Sequence, residues 1–213
     1  MSYLAVTGLV TRAVEYKDAD LILSVYTEQE GVLTVTARGG RRQGSPHAAA
    51  AQVLCCSRLV LSEYRERLSL KEAEILEDFR ALRGDLPAMA LASYLTELAQ
   101  LLEPEGGAFR LTLAALTALA KRPPALVKAA FELRALCGAG VDPTLDPALP
   151  EPEGDVRAAA DFVRAAPLEK VFSFTLGEGP LAALGALCER YVLAQTGHPP
   201  PSLEYYLGLR GCL

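Results

Sequence analysis

Apolar and polar positions alternate at a period of two through the first third of the chain, and at three to four residues through the rest. Leu4, Val6, Leu9 and Val10 open a predicted strand that runs to Val14. Tyr16–Asp20 reads as a turn, with Asp18 and Asp20 as turn formers. Leu21–Thr27 (LILSVYT) is a second strand, and Glu28–Gly31 is a short hairpin connection. Val32–Ala37 (VLTVTA) alternates cleanly as a third strand. Arg38–Ala51 (RGGRRQGSPHAAAA) is a long loop, Gln52–Ser62 a fourth strand, and Leu68–Ile75 a fifth. Five short strands with a long loop after the third predict an OB barrel. An SH3-like barrel fits the strand count nearly as well.

Beyond residue 80 the helical period takes over. Leu86, Ala90, Tyr94, Leu98 and Leu102 recur at every fourth position, with Asp85 as N-cap and Pro87 in the first turn. Phe109, Leu113, Leu116 and Leu119 mark a second helix, stopped by Pro123-Pro124. Leu126–Cys137 is a third, ended by Gly138 and Gly140. Residues 141–154 (VDPTLDPALPEPEG) form an acidic, Pro-rich loop. Further helical segments are expected at Asp155–Ala166 and Leu181–Gln195, with a short tail element at Ser202–Leu209. The fold class is therefore α+β: a five-stranded barrel domain over residues 1–79 and an all-α domain over 80–213.

Composition narrows the classes. The chain has 213 residues and is 51% hydrophobic, which argues against disorder. No apolar run reaches the roughly 18 residues of a membrane span. The start lacks a basic region followed by an apolar one, so no secretory leader and a cytoplasmic location are expected. Five cysteines, at 55, 56, 137, 188 and 212, include no CxxC pair. They read as reduced, mostly buried thiols, and no metal site is expected. No Walker A loop, GxSxG, HExxH or GxGxxG motif is present, and the two histidines lie in Pro-adjacent loops. A binding protein is expected, not an enzyme, and no cofactor.

Charge then singles out one segment. The net charge is −5, yet residues 38–71 carry +5, against −3 in 1–37 and −7 in 72–213. Nucleic acid demands cations at phosphate spacing on a backbone that can approach closely. Arg38, Arg41 and Arg42 with Gly39, Gly40 and Gly44 meet that demand, and Arg58, Arg65 and Arg67 extend it on the following strands. Tyr3, Tyr16, Tyr26 and Tyr64 are candidates for base stacking. In the helical part, Lys121, Arg122, Lys128 and Arg134 lie near Phe131, a combination suited to a groove for an acidic-hydrophobic peptide.

Five segments in order resemble the RecO family of bacterial DNA repair proteins. They are Tyr16–Gly31, Leu33–Arg42 with its ARGGRR end, Phe131-Glu132-Leu133-Arg134, Pro167–Phe174 (PLEKVFSF), and Tyr191 with Ser202–Tyr206. The resemblance implies an N-terminal OB fold, a helical C-terminal domain, and a recombination mediator acting at the nucleoid. It implies binding of single- and double-stranded DNA, strand annealing, and cooperation with RecR. It also implies contact with the C-terminal tail of single-strand binding protein, so that RecA replaces that protein on DNA. By position, Arg38, Arg41 and Arg42, joined by Arg12 and Lys17, would contact DNA. Two departures stand out. Where many members carry a four-cysteine zinc module, residues 141–154 hold no cysteine. Where some place arginines before the Phe-Glu-Leu motif, this chain has Ala129 and Ala130, which shifts the tail site toward Lys121, Arg122 and Lys128. The competing reading is an OB-fold protein-interaction adaptor that does not touch DNA.

Overall fold

The computed structural model describes residues 2–103, 106–147 and 152–210. Five strands come first: β1 (Ser2–Tyr16), β2 (Asp20–Thr27), β3 (Val32–Ala37), β4 (Cys56–Tyr64) and β5 (Arg67–Glu77). They close into a barrel in the order β1-β2-β3-β5-β4. All neighbours are antiparallel except β3 and β5, which run parallel through Val35↔Leu68 and Thr36↔Ser69. β1 serves both ends of the ring, pairing β4 through its first half and β2 through its second. This closure is the OB fold.

A fifteen-residue strand can do this only by bending. A bulge at Thr11 supplies part of the bend. Gly8 supplies the rest, where β1 pairs with Thr27 on one side and Ser57 on the other. A Cβ on Gly8 would lie 2.4 Å from a methyl of Val25, so no larger residue fits the crossing. Inward-facing Val6, Val10, Leu23, Val25, Val35, Leu59, Leu61 and Leu70 fill the barrel, and Ala37 and Ala51 join them.

The fourth strand starts later than the pattern predicted. Residues 52–55 are not β4 but the end of a run of turns. Leu54 adopts a left-handed backbone (φ 63°). Its N–H donates to the Val10 carbonyl at 2.8 Å, and Val10 N–H donates to the Cys55 carbonyl at 3.0 Å. The apolar character of Val53-Leu54-Cys55 reflects burial against β1 rather than membership of a strand. β1 and β5, by contrast, extend beyond the predicted Leu4–Val14 and Leu68–Ile75.

The helices are α1 (Arg80–Arg83), α2 (Leu86–Leu102), α3 (Phe109–Leu119), α4 (Pro124–Gly138), α5 (Gly154–Ala165), α6 (Glu178–Thr196) and α7 (Pro201–Arg210). The short α1 carries no periodic signal and was not expected. Asp85 caps α2 as its position predicts, accepting from the Ala88 N–H at 3.1 Å. The chain forms two compact units. One holds residues up to Arg80 together with described residues 106–109; the other holds Ala81–Glu103 and everything from Arg110. A single cut at residue 79 therefore misses the return of 106–109 to the barrel unit. Gly106 allows that return: at φ 98°, a Cβ there would sit 2.5 Å from the Thr27 carbonyl oxygen. Phe109 then sets its ring edge-on to Tyr26, with centroids 5.6 Å apart.

In the helical unit α4 is central. It packs on α2, α5 and α6, and is buried on every side from Leu126 to Leu133. Such a helix is covered all round, its two buried charges, Lys128 and Glu132, paired with each other, and the Phe-Glu-Leu motif is part of its core. Of the 141–154 loop, residues 148–151 lie outside the described residues. Before them, Asp142 binds the Arg164 guanidinium at 2.8 Å and accepts from Thr144 N–H and Oγ at 2.9 and 2.6 Å. These partners outweigh its partial burial and hold its carboxyl below the usual range. The segment without cysteines is thus tied down by a carboxylate–guanidinium clasp.

Candidate nucleic-acid interface

Turns at the ends of the strands carry most of the barrel's unpaired cations. Lys17 sits in the β1–β2 turn with a left-handed backbone (φ 53°), its ammonium 5.2 Å from the Tyr16 ring centroid. In the β4–β5 hairpin, Tyr64 pairs with Arg67 across a two-residue turn. Both turn residues, Arg65 (φ 48°) and Glu66 (φ 61°), have positive φ, the geometry of a type I′ turn normally given to Asn and Gly. Arg65 lies 5.2 Å over the Tyr64 ring. In OB folds, oligonucleotides lie on the β2–β3 face between these same two loops.

The basic loop after β3 is fastened to the β1–β2 turn. Gly39 N–H donates to Asp20 Oδ1 at 2.7 Å, and Arg41 N–H donates to the Ala19 carbonyl at 3.0 Å. Asp20, expected only as a turn former, is the anchor that brings Arg38, Arg41 and Arg42 beside Lys17. Nothing in the alternation pattern marks such a contact; a lone carboxylate next to a strand start is the one available signal. The Arg41 guanidinium meets Glu15 at 3.0 Å. Both side chains are well exposed there, so the pair is weak and open to displacement. Arg38 and Arg42 are exposed and have no carboxylate partner among the described residues.

Arg12 follows the β1 bulge and stands opposite Ser24, which in turn stands opposite Thr34. It therefore flanks the outer β2–β3 surface. That surface carries Ile22, Ser24, Thr34, Thr36 and exposed Val32, with no exposed aromatic among these positions. Tyr26, a stacking candidate, is fully buried against Phe109 and faces no ligand. Tyr3, Tyr16 and Tyr64 are exposed at the margins.

Arg58 departs from the expected grouping. It pairs with Glu74 at 2.6 Å on the β4–β5 face, where Glu72 is also exposed. Its neighbour on β1 is Thr7, in the half of that strand away from Glu15 and the basic loop. It sits among carboxylates and does not extend the basic face. Arg65 and Arg67 do remain exposed and without carboxylate partners among the described residues.

The expected peptide groove needs a larger correction. Phe131 is fully buried in α4 and offers no floor to a ligand. The Lys128 side chain is 5% exposed and bonds Glu132 at 2.7 Å and Glu189 at 2.6 Å, so it forms no cationic rim. Arg134 donates to the carbonyls of Val163 and Arg164, satisfying the open C-terminal end of α5. Ala129 and Ala130 are buried as well, so side chains at those positions face the interior. Arg134 lines a separate hollow with Asp142 and Arg164, which leaves Lys121 and Arg122 at an apolar groove. It measures about 360 Å3 and is lined by Ala114, Ala118, Leu168, Phe172 and Glu169 beside them.

Burial disfavours the thiolate at Cys56, Cys137 and Cys188. Burial, with help from Cys55 and Glu77, pushes the Cys56 thiol up to about 12. Burial and Asp142 push Cys137 to about 11. Cys212 lies outside the described residues. Among the described residues, no group of His, Cys, Asp and Glu is placed to hold a metal ion. No described helix is long and apolar enough to cross a membrane.

Comparison with known proteins agrees with this architecture. The model of the recombination protein O N-terminal region matches residues 1–79, and that of its C-terminal region matches residues 83–149. A DNA repair protein RecO from Anaeromyxobacter sp. (strain K) is 34% identical over 242 aligned positions, covering 99% of this chain and 94% of the relative. That span exceeds the 213 residues here, so the relative carries insertions. The RecO of Desulforudis audaxviator is 39% identical over 142 positions, covering 65% of this chain and 57% of the relative. The RecO of Acetivibrio thermocellus is 25% identical over 230 positions, covering 90% and 91%. With identity above 30% sustained across essentially its whole length, and with both regions of the family represented in order, the chain belongs to the RecO family of DNA repair proteins.

Proposed function

We propose that this RecO protein is a cytoplasmic, nucleoid-associated recombination mediator that grips single- and double-stranded DNA by its backbone and anneals strands, without catalysing a reaction. The observation that carries the reading is the set of exposed cations on the OB loops: Lys17, Arg38, Arg42, Arg65 and Arg67, with Arg12 beside the β2–β3 face. Phosphate contacts fix a strand without reading its sequence. The β2–β3 face has hydroxyls and no exposed aromatic to trap bases, Tyr26 being covered by Phe109. A strand held in this way keeps its Watson–Crick edges free for a complement, which is what annealing requires.

Fluorescence anisotropy with a labelled oligonucleotide tests this. Affinity should fall steeply with salt, each neutralised phosphate adding about −0.7 to the log–log slope. Arg38→Ala with Arg42→Ala should flatten the slope by roughly 1.4 on that basis. No binding near physiological ionic strength, with intact co-elution with RecR, would favour the adaptor reading instead.

The partners follow the same logic. Within the mediator reading, the chain works with RecR and contacts the acidic tail of single-strand binding protein, clearing the way for RecA. The Lys121–Arg122 groove supports the tail contact, having an apolar floor at Leu168 and Phe172 and two cations at its edge. Lys121→Ala with Arg122→Ala should weaken capture of the tail peptide and reduce its salt dependence. Unaltered peptide titrations in that variant would remove the groove from the mechanism.

A further inference from the structure

We propose that the basic loop holds a discrete seat for one backbone phosphate, in which His47 is a hydrogen-bond donor alongside Arg38 and Arg42. This rests on the DNA-binding reading above. A shallow hollow of about 330 Å3 opens in the loop, lined by Arg38, Arg42, Gly44, Ser45 and His47. Its two guanidinium groups have no carboxylate partner among the described residues, unlike Arg41, which meets Glu15. A concave surface with two uncompensated cations favours an anion with several acceptor oxygens. A phosphodiester is that anion.

The histidine is set up to take part. His47 Nδ1 is buried and has no hydrogen-bond partner. A neutral imidazole carries one N–H and one lone pair. An orphaned buried N–H is rarer than an orphaned acceptor, so the lone pair belongs on Nδ1 and the proton on Nε2. Nε2 is the ring nitrogen that keeps contact with solvent. The backbone holds the ring in place: His47 N–H donates to Ser45 Oγ at 3.3 Å, and the His47 carbonyl accepts from Ala51 N–H at 2.9 Å. Ala51 is part of the barrel core, so the seat is anchored to the rigid body of the barrel. A Cβ on Gly44 would meet nothing within 4 Å, which leaves the hollow open to an approaching strand.

The role is tested with a labelled oligothymidylate and the full chain. Gln at this position places an amide N–H near where Nε2 stands, whereas Asn places it near Nδ1. His47→Ala and His47→Asn should each weaken binding about tenfold, the worth of a hydrogen bond to a charged group, while His47→Gln stays near wild type. Because a neutral donor displaces no counterion, the salt slope should stay the same in all three, whereas Arg38→Ala flattens it by about 0.7. Wild-type affinity in His47→Ala, or equal loss in His47→Gln and His47→Ala, overturns the seat. Silent His47 variants beside an impaired Arg38→Ala/Arg42→Ala double variant overturn the seat and leave the DNA-binding reading standing. A wild-type chain that ignores the oligonucleotide overturns both.

Discussion

Lys128→Ala is expected to destabilise the helical unit by about 3–5 kcal/mol, the cost of breaking a buried ion pair from one side. Glu132 is completely buried in the middle of α4. Its Oε1 accepts from the Lys128 ammonium at 2.7 Å and from the Tyr94 hydroxyl at 2.5 Å, while Oε2 has no partner. Burial, with a smaller push from the charge of Glu189, drives the Glu132 carboxyl upward, and the lysine is the main force opposing that shift. Without Lys128, Glu132 must stay charged in an apolar interior or take up a proton, and either is costly. Tyr94 also loses the cation 5.6 Å above its ring. Urea unfolding followed by far-ultraviolet circular dichroism should show the midpoint falling sharply. Lys128→Met combined with Glu132→Leu should recover part of the loss, since both buried charges then go together, although the Tyr94 hydroxyl loses its acceptor. A single variant within about 0.5 kcal/mol of wild type, the range of an ordinary surface change, would refute this account of the cluster.

Phe109→Ala is expected to cost about 3–5 kcal/mol, and to cost it in the barrel. The ring is 1% exposed and meets Tyr26 edge-on at an interplanar angle of 66°. The edge-to-face pair accounts for roughly 0.5–1.5 kcal/mol of that, and the cavity for the rest. Tyr26 lies on β2, so hydrogen exchange should speed up at β2 amides in the variant. Unchanged β2 protection, with loss confined to α3, would show that residues 106–109 do not support the barrel.

These two sites show where the sequence could be read and where it could not. Strand alternation in Leu21–Thr27 and Val32–Ala37 predicts β2 to within one residue and β3 residue for residue, because one face of each fills the barrel. The RecO resemblance and the basic loop are equally plain, since a local run of charge needs no tertiary partner to be noticed. Lys128 misleads for a physical reason. A Lys and a Glu four apart on a helix normally form a solvent-facing pair. Here α4 is surrounded, and its alanines give no sign that the charged face is also covered. Arg134 and Arg58 mislead in the same way, because their partners lie 29 and 16 residues away. Leu54 fails differently: an apolar run predicts burial, but a left-handed residue within it ends the strand. The donor role proposed for His47 has no sequence signal at all, because it depends on which ring nitrogen the fold conceals.

The parallel pairing of β3 with β5 spans just two residue pairs, far shorter than the other four contacts around the ring. The barrel resembles a cuff with a small clasp. β3 leaves the clasp into Arg38, and β5 enters it from Arg67. A polyanion lying across both arginines would fasten the cuff from outside, so strand capture and barrel closure would reinforce one another.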